Sequence, residues 1–322
     1  MQITTSKYRS RVKNLLSVAL RLVYFRFTTT LEGDIYTIKN PFALLKENGA
    51  IELTDGTTLQ FNGNNKEDVF RLALFAVTQG IRFGESQNQW KLGFGNGTVE
   101  TPQGLKFLIE GFDGQIFQET FLNEIHFVDF DLNGKTIVEA GAFTGDTALY
   151  YASKGAIIYS FEPDLRSFEI ASKNILLNKQ LPGRIFLNNY AIGKDGEVRF
   201  PISAVGSGGS TLYAASKSRL RLVKSISVGT ILREYEIRDP FLLHLDAMGA
   251  EFEVISDDSL ARFERIRIEY CPYLHIKIGD ERASLSMILR RLEHLGFRHV
   301  RVFKHNQGRY DLRNHGTIDA KK

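Results

Sequence analysis

A chain of 322 residues, 43% of them hydrophobic, can bury a full core as one large or two modest domains. Its single cysteine, Cys271, excludes an intrachain disulfide, and the absence of zinc-finger spacing argues against a structural zinc site. The net charge of +4 does not indicate a broad nucleic-acid surface, because six of the 41 basic residues lie within the first 31 positions and the remainder is nearly neutral.

The first predicted element is a basic amphipathic helix over residues 7–27. Its apolar residues recur at helical spacing, and Arg21 and Arg26 make the run too short to span a membrane. Two interpretations stay open. The helix packs on the body of the protein or on a second subunit, which would give a homo-oligomer, or it lies on an anionic membrane surface. We expect a cytoplasmic protein, peripheral to the inner face of the membrane on the second interpretation.

Residues 32–133 are predicted to form an α+β accessory region on the substrate side. Short strands bounded by turns predict hairpins at Asp55-Gly56 and near Asn96-Gly97, and the apolar spacing predicts a helix from about Lys66 to Thr78. The sequence therefore predicts three parts: residues 1–31, residues 32–133 and a catalytic domain over residues 134–322.

From residue 134 onward, apolar strand patterns alternate with helical ones. Strands are predicted near residues 136–140, 156–161, 185–190, 241–246 and 264–270, with helices between them and a last helix near 281–295. The tail offers Arg298–Phe303 and Arg309–Leu312 as an antiparallel pair at one edge. This alternation predicts an α/β fold, a Rossmann-like, seven-stranded, mostly parallel sheet with helices on both faces.

The segment from residue 135 to residue 164 predicts a nucleoside-binding crevice. Gly141 and Gly145 follow the first strand and let backbone approach a ligand. Glu162 ends the second strand, where a carboxylate can accept hydrogen bonds from both hydroxyls of a ribose. Glu139, beside the turn, would repel a pyrophosphate but attract a sulfonium carrying an ammonium group. This charge favours S-adenosylmethionine over a nicotinamide or flavin dinucleotide.

Four ordered segments resemble the motifs of FkbM-type methyltransferases. They are VEAGAFTGDTALYYASKGAIIYSFEPD at 138–164, NNYAIG at 188–193, LLHLDAMGAEFEVI at 242–255 and IRIEY at 266–270. The resemblance covers about residues 134–303. It implies the class I methyltransferase fold, S-adenosylmethionine as cofactor, and O-methylation of a hydroxyl on a sugar, glycan, glycolipid or polyketide.

The predicted cofactor site lies beyond the carboxyl ends of the strands. The glycine turn would hold the methionine portion, Glu162 the ribose, and residues 188–191 the adenine. The predicted cofactor-binding residues are Glu139, Gly141, Ala142, Phe143, Thr144, Gly145, Glu162, Pro163, Asn189, Tyr190, Ala191 and Asp246. Structural alternatives stand beside these roles, since glycines also permit close packing and asparagines also cap turns.

Asp246, at the end of the fourth strand, is the first candidate for the base that deprotonates the acceptor hydroxyl. His244 and Glu251 are the other catalytic candidates, although a strand histidine is commonly a packed one. Glu251 and Glu269 could bind acceptor or a divalent ion, or serve as a helix cap and an ion pair. No metal site is assigned.

The chain departs from the family pattern at three positions. The family usually has asparagine where Phe143 stands, and lysine and glutamate where His244 and Met248 stand. A thioether neither ionises nor accepts hydrogen bonds well, so an alternative is a non-catalytic cofactor-binding or assembly module. A nucleic-acid methyltransferase is disfavoured, because DAMG at 246–249 replaces the expected acid, Pro-Pro and aromatic motif. The expected partner is therefore a small-molecule or glycan hydroxyl acceptor, and no nucleic acid.

Overall fold

The computed structural model describes residues 37–86, 88–93, 97–126, 129–201, 220–272, 275, 283–304, 312 and 315–322. It divides into two compact units. The first runs up to Gly104 and includes Phe112–Gly114, and the second contains Leu105–Gly111 and Gln115–Lys322. The predicted N-terminal helix at 7–27 lies outside the described residues. None of the helices within the described ranges combines the length and the hydropathy that a membrane span requires.

The first unit contains short antiparallel strand pairs and one long helix. Its elements are β1 (Gly49–Glu52), β2 (Thr58–Phe61), α1 (Lys66–Gln79), β3 (Lys91–Leu92) and β4 (Thr98–Glu100). Gly56 has a φ of 94° in the turn between β1 and β2, which pair antiparallel as predicted. The second hairpin, β3 with β4, and the helix α1 are also confirmed.

The remaining elements build the larger unit, except that Gly114, the first residue of a short helix, belongs to the first unit. They are β5 (Lys106–Leu108), α2 (Gly114–Phe117), β6 (Thr136–Ala140), α3 (Asp146–Ser153), β7 (Ile157–Phe161), α4 (Leu165–Leu177), β8 (Arg184–Asn188), β9 (Ala191–Ile192), β10 (Gly196–Pro201), β11 (Leu220–Ile226), α5 (Val228–Glu234), β12 (Pro240–Leu245), α6 (Glu251–Val254), β13 (Arg265–Tyr270), α7 (Leu285–His294), β14 (His299–Phe303) and β15 (Gly316–Lys321). The five parallel strands begin and end within two residues of their predicted bounds, because buried parallel strands appear in sequence as short apolar runs.

Seven of these strands form one sheet in the order β14-β15-β13-β12-β6-β7-β8. Strands β13, β12, β6, β7 and β8 are parallel neighbours, and β15 pairs antiparallel with both β13 and β14. The mostly parallel, seven-stranded Rossmann-like α/β fold is therefore confirmed. A separate small sheet contains β10, β11 and β9.

The predicted edge strand Arg309–Leu312 lies, except for Leu312, outside the described residues. The strand that pairs with β14 is Gly316–Lys321. The turn signal after β14 suggested an immediate hairpin, but β15 inserts between β13 and β14 and is paired on both sides. A strand with two neighbours is buried on both edges, which a local turn signal does not reveal. Helix α6, which follows β12, is a single turn, Glu251–Val254.

The two faces of the central sheet differ in chemistry. On one face, Leu243, Ile266 and Ile318 are fully buried and belong to the hydrophobic core. The opposite face buries Arg267 and Asp319, whose Nη2 and Oδ1 atoms lie 3.3 Å apart. Burying these charges is tolerated because each one faces an opposite charge. The carboxyl ends of β6, β7, β12 and β13 meet at one edge, where the predicted site residues lie.

Candidate active site at the carboxyl edge of the sheet

The turn after β6 depends on glycine. Gly141 has a φ of 89°, and a Cβ atom on it would lie 1.8 Å from the carbonyl oxygen of Asp246. Its N–H donates to the Phe161 carbonyl at 2.9 Å, so the turn joins the ends of β6, β7 and β12. Gly145, with a φ of 83°, precedes helix α3. The predicted glycine turn thus lies directly against the predicted catalytic strand end.

We expect Gly141→Ala to destabilise the protein more than Gly134→Ala. Both glycines have positive φ, but nothing lies within 4 Å of a Cβ atom on Gly134. Gly134→Ala should therefore lower the free energy of unfolding only through the strain of a left-handed backbone, by about 1–2 kcal/mol. Gly141→Ala adds a clash between the new Cβ atom and the Asp246 carbonyl oxygen. Thermal unfolding of the two variants measures the difference. Equal losses of stability in the two variants would show that the close approach of the Asp246 carbonyl oxygen to Gly141 is unimportant.

Glu162 ties the glycine turn to the end of β7. Its Oε2 accepts the Phe143 N–H and its Oε1 accepts the Asp164 N–H, both at 2.7 Å. Burial raises the pKa of Glu162 to about 8, although these two N–H groups stabilise the charged form. A carboxylate has about four lone-pair sites, so acceptor capacity remains for two ribose hydroxyls.

Asn189 and Pro163 lie beside Glu162, as predicted for one site. The Asn189 amide donates to the carbonyl oxygens of Glu162 at 2.7 Å and of Pro163 at 3.2 Å. The Arg221 guanidinium also donates to the Pro163 carbonyl. These bonds fix the chain after β7, so the Asn189 side chain contributes structural support.

Glu139 places a second buried carboxyl at the end of β6. Ser160 donates to its Oε2, and its Oε1 has no hydrogen-bond partner among the described residues. That oxygen lies 4.0 Å from His244 Nδ1. Burial raises the pKa of Glu139 to about 8, opposed by Ser160 and reinforced by the charges of Asp146 and Glu162. A buried carboxyl of this kind gains most from a cationic partner.

We expect the stability of the ligand-free protein to fall as pH rises between about 5 and 8. The folded pKa values of Glu139 and Glu162 are raised from 4.5 to about 8, so the folded state binds more protons across this window. Each of these two carboxyl groups then lowers the free energy of unfolding by up to about 1.4 kcal/mol per pH unit. Glu139→Gln should flatten this slope in denaturant titrations at several pH values. An unchanged slope would contradict the raised pKa of Glu139.

His244 lies inside the sheet and not at its edge. In register it lies between Glu139 and Arg267, and it is 5% exposed. Its ring centroid is 5.1 Å from that of His126 and 5.6 Å from that of Tyr151. This enclosure favours a packed histidine that supports Glu139 over a base that touches an acceptor.

Asp246 follows β12 directly and is partly exposed. Its N–H donates to the Ala140 carbonyl at 3.0 Å, which continues the parallel pairing with β6. Its side chain forms a hydrogen bond with Glu269, and burial followed by the charge of Glu269 raises the pKa of Asp246 well above its usual range. Among the three predicted catalytic residues, Asp246 is partly exposed, whereas His244 and Glu251 are buried.

Glu251 is fully buried behind this edge. Its Oε2 accepts the Gly249 N–H at 2.5 Å and its Oε1 accepts the Cys271 N–H at 2.6 Å. Burial raises the pKa of Glu251 to about 7, although these backbone bonds favour the charged form. Met248 and Gly249 both have positive φ, 42° and 104°. This geometry indicates that Glu251 stabilises the backbone turn at Met248 and Gly249 and does not contact an acceptor.

The other predicted residues lie around the same edge. The Ala142 N–H donates to the Phe161 carbonyl at 3.1 Å, and the Thr144 carbonyl accepts from Asn174 at 2.8 Å. Tyr190 lies under Lys224, whose Nζ is 4.5 Å from the ring centroid. Ala191 is buried in β9. The structure therefore places the predicted cofactor-binding residues at one end of the sheet.

Two acids of this site were missed. Asp146, which follows Gly145, is 3% exposed and accepts from Thr120 and Thr147, each at 3.2 Å. The charges of Glu119 and Asp146 also raise the pKa of Asp246. An acid at a helix start is common, and Glu119 lies in the segment assigned to the accessory region, so neither had a distinctive local signal.

One comparison with known proteins identifies a family. The sequence model of the methyltransferase FkbM domain matches residues 139–299, half of the chain. No curated protein gives a significant match.

Solved structures resemble the chain only distantly. A METTL16 methyltransferase domain is 13% identical with a TM-score of 0.43, covering 93% of this chain and 91% of its own. A human methyltransferase 10 domain containing protein is 15% identical with a TM-score of 0.41, covering 80% and 98%. Magnesium protoporphyrin IX methyltransferase from Synechocystis PCC 6803, solved with bound SAM, is 13% identical with a TM-score of 0.40, covering 65% and 81%. Similarity this distant says nothing about the acceptor.

Proposed function

Because the chain belongs to the FkbM methyltransferase family, and is thus an S-adenosylmethionine-dependent methyltransferase, we propose that it methylates a hydroxyl oxygen of a sugar, glycan or glycolipid. The observation that carries this proposal is the position of Asp246. Asp246 is a partly exposed residue at the end of β12, and its carbonyl oxygen lies against Gly141 of the glycine turn. A hydroxyl needs a base to become a good nucleophile, and Asp246 is the acid on the strand end that lies against the glycine turn.

The residues at the edge of the sheet fit the cofactor. Glu162 offers acceptors for the ribose hydroxyls, and Glu139 offers a buried oxygen that lacks a hydrogen bond among the described residues. Glu139, Asp146 and Glu162 are buried around the turn, and no lysine is buried in the described part of the chain, so a cation is favoured there over a pyrophosphate. Bound S-adenosylmethionine supplies an activated methyl group on a positively charged sulfur.

The chain's own residues then have three tasks. Glu162 fixes the glycine turn through Phe143 and so sets the position of the donor. Asp246 accepts the proton of the hydroxyl as the acceptor oxygen approaches in line. Glu251 holds Gly249, and with it the corner that follows Asp246. Positioning contributes most of the rate when the electrophile is already activated.

The acceptor class rests on the family resemblance and on charge. Apart from the first 31 positions, the chain is nearly neutral, which disfavours RNA or DNA as the acceptor. Sugar hydroxyls carry no charge and need only polar and aromatic contacts, which suits such a surface.

Incubation of the full chain with methyl-labelled S-adenosylmethionine tests this function. We expect transfer to members of a panel of oligosaccharides and glycolipids, with a product one methyl group heavier by mass spectrometry and a base-stable ether linkage. Parallel panels of RNA and protein acceptors are the comparison. Transfer confined to RNA or protein would contradict the proposal, and cofactor binding without transfer to any panel would favour the non-catalytic module.

A further inference from the structure

The end of β13 and the residue before β15 bring three metal-ligating side chains to one face of the sheet. Antiparallel pairing sets Tyr270 opposite Gly316, so the next pair outward is Cys271 opposite His315. Opposite residues of an antiparallel pair project to the same face, and so does Glu269, two positions from Cys271. The ligand atoms of Glu269, Cys271 and His315 accordingly lie within 4.8 Å of one another.

Neighbouring groups hold these ligands in place. The Cys271 N–H donates to the buried Glu251 carboxylate at 2.6 Å, which fixes the backbone that carries the thiol. His315 Nε2 lies 2.6 Å from Glu269 Oε1, so the imidazole and the carboxylate already converge. Glu269 also forms a hydrogen bond with Asp246. Supporting contacts of this kind orient the ligands in metal sites.

We propose that Glu269, Cys271 and His315 bind a divalent transition-metal ion of the zinc class. One sulfur, one nitrogen and one oxygen ligand suit Zn²⁺, whereas Mg²⁺ and Ca²⁺ prefer oxygen ligands alone. Bonds of about 2.0–2.3 Å require only small movements of side chains that are already this close. Three protein ligands leave a fourth position for water or a hydroxyl, as in catalytic zinc sites.

Exposure at the site allows an ion to enter. The Cys271 thiol is buried, while the side chains of Glu269 and His315 are 12% and 14% exposed. The thiol therefore forms the floor of the site and the other two ligands form its rim. Because Glu269 bonds to Asp246, an ion here would lie beside the proposed base, yet binding of the ion does not depend on the identity of the acceptor.

Metal titration of the full chain tests this proposal. After dialysis against a chelator, the wild-type protein should bind one Zn²⁺ per chain in competition with a chromophoric chelator. Co²⁺ in place of Zn²⁺ should produce the ultraviolet charge-transfer band of a thiolate ligand. That band reports Cys271 directly, because the chain contains no other cysteine.

Variants localise the ion. Cys271→Ala and His315→Gln should weaken Zn²⁺ binding by more than the roughly 10–100-fold that loss of a supporting residue costs. His299→Gln, at an exposed histidine on β14, is the matched control and should bind like wild type. A wild-type protein that binds no Zn²⁺, or a Co²⁺ complex without the thiolate band, would overturn the proposal even if a variant failed to fold. Methyl transfer is not part of this readout, so it stays separate from the test of the proposed function.

Discussion

Glu162→Ala is expected to weaken binding of S-adenosylmethionine by roughly 100-fold or more, since it removes two charge-assisted hydrogen bonds to the ribose. The same change frees the N–H groups of Phe143 and Asp164, which the carboxylate accepts at 2.7 Å, and so loosens the glycine turn. Isothermal titration calorimetry measures the affinity.

Glu169→Ala is the matched control for this variant. Glu169 is an exposed glutamate on α4, close in sequence to Glu162, and its loss should leave the affinity unchanged. Circular dichroism and thermal unfolding show whether Glu162→Ala keeps its fold. A folded Glu162→Ala protein with wild-type affinity would refute the ribose contact.

Asp246→Asn is expected to lower kcat by about 100–10,000-fold, the usual contribution of a general base. The amide preserves the shape of the side chain but cannot accept the proton of the hydroxyl. The Kd of S-adenosylmethionine should change little, because the backbone of Asp246, not its carboxyl group, lies against Gly141. Initial rates at saturating acceptor, together with calorimetry, separate these two effects.

Asp239→Asn serves as the control for the catalytic variant. Asp239 is an exposed aspartate that directly precedes β12, so the same chemical change is made at the other end of one strand. It should retain full activity. If Asp246→Asn also kept full activity, another residue would have to act as the base.

The sequence predicted the core of the fold because the information there is local. Strand β6 has the predicted bounds, Thr136–Ala140, since a buried parallel strand is a continuous apolar run ended by a glycine turn. Glu162 was placed correctly because it follows a strand directly and all parallel strands end at one edge. Chain order therefore predicts which residues of such a sheet meet at that edge.

Other parts of the site depend on contacts between distant residues. Strand β15 lies between β13 and β14, and no local pattern indicates a strand that is inserted between two earlier ones. The cluster of Glu269, Cys271 and His315 arises from that insertion. Spacing rules for zinc ligands apply to residues close in sequence, so they did not reveal it.

Burial also changed the interpretation of two catalytic candidates. In sequence, Asp246 was the first catalytic candidate, and His244 and Glu251 were the other two. The structure encloses His244 and Glu251, which are 5% and 0% exposed, and leaves Asp246 partly exposed. Which polar residue meets solvent depends on packing from other elements, such as His126 and Tyr151 around His244.

The most direct test of the account is a crystal structure of the full chain with S-adenosylhomocysteine, the product that S-adenosylmethionine leaves. We expect both ribose hydroxyls within hydrogen-bonding distance of the Glu162 carboxylate and the sulfur beside the turn at Gly141, between Glu139 and Asp246. A ligand bound elsewhere, or a ribose that does not contact Glu162, would contradict the account.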